Sequence, residues 1–259
     1  MKIHYLVLSA LACIVSTNLS AASDPFVGKW KWNGDKSKVS GLEEKIEDLG
    51  GNKFKFAFGD DVETIVLDGK DYPTKYGYTW AVKEDGPNKW KEIDKRDGKV
   101  TATASWTISD DGKIYTSITK GTRPDGSTYH NEFKAKRTAG GPGLAGTWES
   151  TEVKQSAPAA WKITPYQGDG LSFRTPAEKE GVDLKFDGKD YPDKGPRVPP
   201  GSTVSGKRID QRKIELSNKL KGKPFYSQQL EVSEDGKTLT IVLNFPGVSN
   251  PETDIYDRQ

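Results

Sequence analysis

Along much of the chain, apolar and polar side chains alternate with a period of two. Phe54, Phe56 and Phe58 alternate with Lys53, Lys55 and Ala57, and Tyr76, Tyr78, Trp80 and Val82 alternate with Gly77, Thr79 and Ala81. Val100, Ala102, Ala104, Trp106 and Ile108 alternate with Thr101, Thr103, Ser105 and Thr107, while Ile114 and Ile118 share a face with Thr116. Alternation of this kind puts one face of an extended strand on a core and the other in water. Asp68-Gly69, Asp85-Gly86-Pro87, Asp97-Gly98, Asp111-Gly112 and Asp125-Gly126 separate the runs, placing glycine where a hairpin needs positive φ. The pattern predicts antiparallel strands joined by tight hairpins, with the opening segment Phe26 to Trp32 also a strand. Only Val39 to Leu49 reads as a helix, with Ser40 as its cap ahead of Glu43 and Glu44.

The pattern occurs twice. Gly28-Lys29-Trp30 is echoed by Gly146-Thr147-Trp148, and Leu67-Asp68-Gly69-Lys70-Asp71-Tyr72-Pro73 by Phe186-Asp187-Gly188-Lys189-Asp190-Tyr191-Pro192. Ile108-Ser109-Asp110-Asp111-Gly112-Lys113 returns as Val232-Ser233-Glu234-Asp235-Gly236-Lys237. Three matches in one order, at offsets growing from 118 to 124, indicate a duplication with small insertions. The expected organisation is a first β domain over 23–138, a linker at 139–143 rich in glycine, and a second β domain over 144–259. The fold class is therefore all-β, as two tandem antiparallel up-and-down β-barrels or strongly curled meanders; closure into barrels would remove exposed edges. A second Pro/Gly-rich stretch, Gly195 to Gly201, reads as a long surface loop.

Composition narrows the chemistry. Residues 1–22 read as an export signal: Lys2, the apolar run Tyr5 to Val15, then Ser20-Ala21-Ala22 before the cleavage point. Expected localisation is the periplasm or the medium. Leu11-Ala12-Cys13 suggests an acylated cysteine, but Ala10 stands where such signals carry a large aliphatic residue, so lipid anchoring at Cys13 is not expected. The run is shorter than the ~20 apolar residues of a spanning helix, and no membrane span is expected. Beyond residue 22 the chain has no cysteine, no methionine and one histidine, His130, which sits on a polar face. Cys or His nucleophile pairs and His-rich metal sites are thereby excluded. Lys and Arg total 39 against 37 Asp and Glu, spread evenly over both units, so nucleic acid is not an expected partner.

A Gly-x-Trp on the first strand of a meander resembles the signature of the calycin folds, which include lipocalins, fatty-acid-binding proteins and avidins. The resemblance implies that Trp30 and Trp148 close one end of each barrel, with a basic residue from the last strand packed across the ring. That residue would be Lys136 or Arg137 in the first unit and Arg258 in the second. Each unit is shorter than a typical lipocalin and lacks the usual disulfide. The chain is also similar to exported bacterial proteins that combine a Gly-x-Trp strand with Asp-Gly-Lys-x-Tyr-Pro and Ser-x-Asp-Gly-Lys, a likeness of architecture and not of activity.

The candidate ligand-binding residues are Phe54, Phe56, Tyr72, Tyr76, Tyr78, Trp80 and Trp106, aromatic side chains able to line a cavity or to fill the core of a small barrel. The repeated Asp-Gly-Lys-Asp-Tyr-Pro segment offers Asp71, Tyr72, Asp190 and Tyr191 as a ligand-gripping rim or as a plain turn. Neighbouring carboxylates such as Asp60 with Asp61, or Asp110 with Asp111, point in different directions and read as solvated turns. No catalytic residue, cofactor or metal site is expected, and the chain reads as a non-enzyme. Two functions follow: a barrel that holds a small apolar ligand or lipid, or an envelope or secreted module that contacts a protein or glycan through its loops.

Overall fold

A computed structural model describes residues 24–156 and 160–259; the segment expected to be an export signal, with its expected cleavage point, lies outside the described residues. The described chain is all-β. Ten strands belong to the first sequence unit: β1 (Gly28–Trp32), β2 (Glu43–Asp48), β3 (Lys53–Phe58), β4 (Asp61–Val66), β5 (Tyr72–Pro73), β6 (Thr79–Glu84), β7 (Lys89–Arg96), β8 (Lys99–Ile108), β9 (Ile114–Thr122) and β10 (Thr128–Ala139). Ten more belong to the second: β11 (Gly146–Gln155), β12 (Ala160–Tyr166), β13 (Gly170–Thr175), β14 (Glu180–Leu184), β15 (Tyr191–Pro192), β16 (Ser202–Arg208), β17 (Lys213–Leu220), β18 (Lys223–Val232), β19 (Thr238–Asn244) and β20 (Glu252–Arg258). The segment expected as a helix over Val39 to Leu49 instead contains strand β2 (Glu43–Asp48), flanked by irregular backbone. Its one buried aliphatic residue, Ile46, shares an inward face with Glu44, a period of two that a helix could not bury.

The strands form two ten-stranded antiparallel sheets, each curled into a nearly closed barrel. The first barrel has the order β4-β3-β2-β11-β10-β9-β8-β7-β6-β5, and the second β14-β13-β12-β1-β20-β19-β18-β17-β16-β15. The opening strands are thus exchanged: β1 sits between β12 and β20, and β11 between β2 and β10. Neither barrel is one sequence unit, and residues 139–143 lie at the hairpin joining neighbouring strands β10 and β11. Bridges between Asp68 and Lys83 in the first barrel, and between Gly181 and Lys194 in the second, bring the two edges of each sheet together.

The connections explain the exchange. In each barrel the Gly-x-Trp end lies opposite a second end formed by alternate hairpins. These second ends face each other: Gly59 and Asp60 meet Pro246, Arg96 meets Pro196 and Arg197, and Asp125 meets Ala177. The Gly-x-Trp ends are therefore the two far poles of the molecule. Residues 140–145 could span at most ~20 Å fully extended, less than one strand of β11's length plus a second barrel. They close a local hairpin instead, at small entropic cost, and β11 stays beside β10. The vacated slot in the second barrel is filled by β1, which carries the same Gly-x-Trp.

Candidate functional site

Each far pole is sealed the same way. Trp148, 2% exposed, donates its indole N–H to the Leu144 carbonyl at 3.0 Å, and the Arg137 guanidinium lies 4.0 Å from its ring centroid. Arg137 also donates to the carbonyls of Gly112, Ala145 and Gly143 at 2.5–2.7 Å. In the second barrel Trp30, fully buried, donates to Phe26 at 2.8 Å, and Arg258 stacks on it at 4.0 Å while donating to the carbonyls of Gly236, Val27 and Pro25. The partners are exchanged with the strands, so each arginine closes on the tryptophan of the other unit. Lys136 points outward and pairs with Glu149 at 2.7 Å.

The facing ends, by contrast, are lined by aromatic rings and held together by the loops. The Gly195 to Gly201 stretch, expected to be a long surface loop, lies across the junction. Arg96 donates to the carbonyls of Pro196 (3.3 Å) and Arg197 (3.0 Å), and Arg197 donates to the Thr122 carbonyl. Glu178 receives Arg123 at 2.9 Å and lies 3.5 Å from Arg197, an ion-pair cluster that bridges the two barrels. Gly59 also lies at the junction, and its left-handed φ of 56° suits glycine. A Cβ there would stand 2.2 Å from the Pro246 oxygen.

Between the mouths is a cavity of about 680 Å³, lined by Phe58, Asp61, Lys75, Phe225 and Phe245 among others. The ring of Phe58 meets that of Phe245 at 5.2 Å, Tyr226 meets Phe245 at 5.8 Å and Phe225 at 5.2 Å, and Phe225 reaches Tyr76 at 5.7 Å. An aromatic path therefore leads from one barrel mouth to the other. Asp61 is not a solvated turn residue: its two carboxylate oxygens accept from Lys75 Nζ and from the Tyr76 hydroxyl. A second cavity, about 160 Å³, lies inside the second barrel, where Tyr226 is one wall with Trp161 and Phe173.

No family model, curated protein or solved structure matches the chain.

The expected ligand-binding residues divide between these places. Phe56, Trp80 and Trp106 pack against one another inside the first barrel, with centroids 4.9–6.0 Å apart, and Phe54 and Tyr72 join the same core. Tyr76 and Tyr78 precede β6 and stack on each other at the mouth, centroids 6.1 Å apart. In the repeated hexapeptide, Asp68 and Asp187 accept from the backbone N–H of Lys70 and Lys189 at 3.0 and 3.1 Å, and Asp71 and Asp190 pair with Lys95 and Lys219 on the matching strands. That segment is a duplicated turn. His130 is exposed.

Inward-facing carboxyls are the residues that sequence reasoning missed. On β7, Trp90, Glu92 and Asp94 face inward while Ile93 faces solvent. Glu92 accepts the Trp106 indole N–H at 2.6 Å. Burial, then the neighbouring Asp94 carboxyl, raises Glu92, and burial raises Asp94 as well. Burial also pushes Glu44 up to about 7. In the second barrel burial pushes both Glu180 and Glu252 up to about 7 and raises Asp193 and Asp254. Asp254 accepts from the indole of Trp32 on the exchanged strand at 2.7 Å. The available signal was parity: these acids share the alternation of Trp90, Val182 and Tyr256. Among the described residues no group of three or more His, Cys, Asp or Glu is placed to hold a metal ion, and no helix is long and apolar enough to cross a membrane.

Proposed function

We propose that the chain is an exported, non-enzymatic binding protein of calycin-like, lipocalin-like build, which holds a small ligand with an apolar body between and inside its facing barrels. The observation that carries this reading is the aromatic-walled cavity of about 680 Å³ at the mouths, whose wall residue Phe245 meets the ring of Tyr226, a wall of the 160 Å³ cavity. Concave, largely apolar spaces with a few polar groups are the usual form of small-molecule sites. The arginine-on-tryptophan seals support the calycin likeness, because they close the poles and leave the mouths as the place of entry. The Pro-rich loop that favoured loop-mediated contact with a protein or glycan is engaged across the junction, which weighs toward the interior reading. The buried Glu92 and Asp94 do not argue for catalysis, since Glu92 faces an indole N–H within a packed aromatic core.

Native mass spectrometry of the protein recovered from its exporting host tests the reading. The expected result is an adduct of small-molecule mass that leaves on denaturation, or thermal stabilisation by at least one member of an amphiphile and metabolite panel. A clean unliganded mass with no stabilisation across the panel would refute it.

A further inference from the structure

Resting on the small-molecule reading above, we infer that the cavity inside the second barrel takes a small organic cation, an ammonium group carried on an aromatic or alkyl body. The cavity measures about 160 Å³, close to the ~150 Å³ space known to accommodate benzene in an engineered protein core. Its walls combine Trp161, Phe173 and Tyr226 with the carboxyls of Glu180 and Asp193. Glu180 is on the same strand face as the buried Val182 and Leu184, so it belongs to the barrel interior. Glu252 and Asp254 lie on the inward face of β20 beside Tyr256, away from the cavity wall, and Asp254 is taken by the Trp32 indole.

The cations nearby are already committed. Arg174 lines the same cavity, but its Nη1 donates to the carbonyls of Phe173 and Val182, both at 2.9 Å, and its Nη2 meets Asp183 at 2.5 Å. Arg197, at the mouth, is held by Glu178 and the Thr122 carbonyl. Asp193 accepts only the backbone N–H of Lys194, at 2.9 Å. The polar remainder of the wall, Thr175, Asn218 and Gln228, is neutral, and Asn218 donates to Gln228 at 3.3 Å. The cavity wall thus carries two carboxyls, Glu180 and Asp193, whose neighbouring arginines Arg197 and Arg174 are hydrogen-bonded to other groups, and three aromatic rings suited to a cation. A ligand carboxylate would meet repulsion there, and a metal ion lacks a third acidic ligand in position. Burial leaves Glu180 at about 7, so an entering ammonium would draw it into its charged form.

The test is isothermal titration of the full-length exported protein at pH 8 with three ligands of one shape: phenethylammonium, 2-phenylethanol and phenylacetate. Phenethylammonium is expected to bind at least tenfold more tightly than 2-phenylethanol, with no detectable phenylacetate binding. In the double variant Glu180→Gln, Asp193→Asn the preference for the ammonium should disappear while 2-phenylethanol binding is retained, which separates lost charge from lost fold. Equal or tighter binding of the alcohol in the unmodified protein would overturn the inference and leave the small-molecule reading standing. Ammonium preference that survives the double variant would place the ligand elsewhere and overturn it as well. Absence of binding by all three at millimolar concentration would also overturn it, and with a clean native mass would remove the reading beneath it.

Discussion

Replacing Arg258 with alanine should unlock one pole of the molecule and free a strand that is remote in sequence. The guanidinium donates to three backbone carbonyls, of Pro25, Val27 and Gly236, and stacks 4.0 Å from the Trp30 centroid. A charged hydrogen bond contributes ~1.5–3 kcal/mol when fully buried; this side chain is only half-buried, and water can reach part of the vacated space. Taking about 1 kcal/mol for each of the three bonds and about 1 for the stacking gives a loss of about 4 kcal/mol from the second barrel. Lysine keeps the charge but offers no planar fork, so Arg258→Lys should recover only about 1–2 kcal/mol of it. Urea unfolding followed by tryptophan fluorescence measures the loss, and amide hydrogen exchange locates it. Because Arg258 closes on Trp30, protection should fall at Gly28–Trp32 and stay intact at Gly146–Gln155. Arg137→Ala should do the reverse. A loss below 1 kcal/mol, or deprotection of β11 in the Arg258 variant, would refute the reasoning.

Gly59→Val should part the barrel mouths, since a Cβ there would stand 2.2 Å from the Pro246 oxygen; small-angle scattering should show a larger radius of gyration with unchanged circular dichroism, and an unchanged radius would count against the junction. Glu44 gives a signed pH effect. Its carboxyl is raised by burial to about 7, above the ~4.3 of an unfolded chain, so the folded state favours the neutral form and stability falls as pH climbs through that window. Glu44→Gln should be near neutral at about pH 4, below the unfolded value, and more stable than the parent by about 2 kcal/mol at pH 8, a figure reduced from the full shift for partial solvent access; equal stability of the two at pH 8 would contradict the placement of Glu44.

The strands, hairpins and duplication were legible because each rests on local chemistry: period-two alternation, Asp-Gly corners, and the repeated Gly-x-Trp. For the seal, the sequence offered Lys136 or Arg137 in the first unit and Arg258 in the second, and the structure stacks Arg137 and Arg258 on the tryptophans while Lys136 points outward. What sequence could not say was which arginine closes on which tryptophan. Both opening strands carry the same motif and fit either slot, so the choice falls to chain connectivity and to the reach of residues 140–145. The interior acids were hidden for a different reason. Hydrophobicity alone assigns Ile93 inward and Glu92 and Asp94 outward, whereas the pairing of β7 with β8 puts Trp90 and Trp106 together and carries the acids in with them. The stretch from Val39 to Leu49 misled through its capping serine and early glutamates, which are helix signals that tertiary pairing with β11 overrides. The Pro-rich loop showed its composition but not its docking partner, which lies about a hundred residues earlier, at Arg96.

The exchange of opening strands, which accompanies the mouth-to-mouth placement of the barrels around the central cavity, can be tested by disulfide trapping within one chain. Lys31 lies opposite Asp257 on β20, a cross-strand pair about 5.5 Å apart at Cα and within disulfide reach. In the unexchanged arrangement its neighbour would be Lys136, which lies opposite Glu149. With Cys13 replaced by serine, Lys31→Cys with Asp257→Cys is expected to oxidise to an intramolecular disulfide in the monomer, and Lys31→Cys with Lys136→Cys is not. The opposite result would place β1 in its own barrel and contradict the architecture on which the proposed site depends.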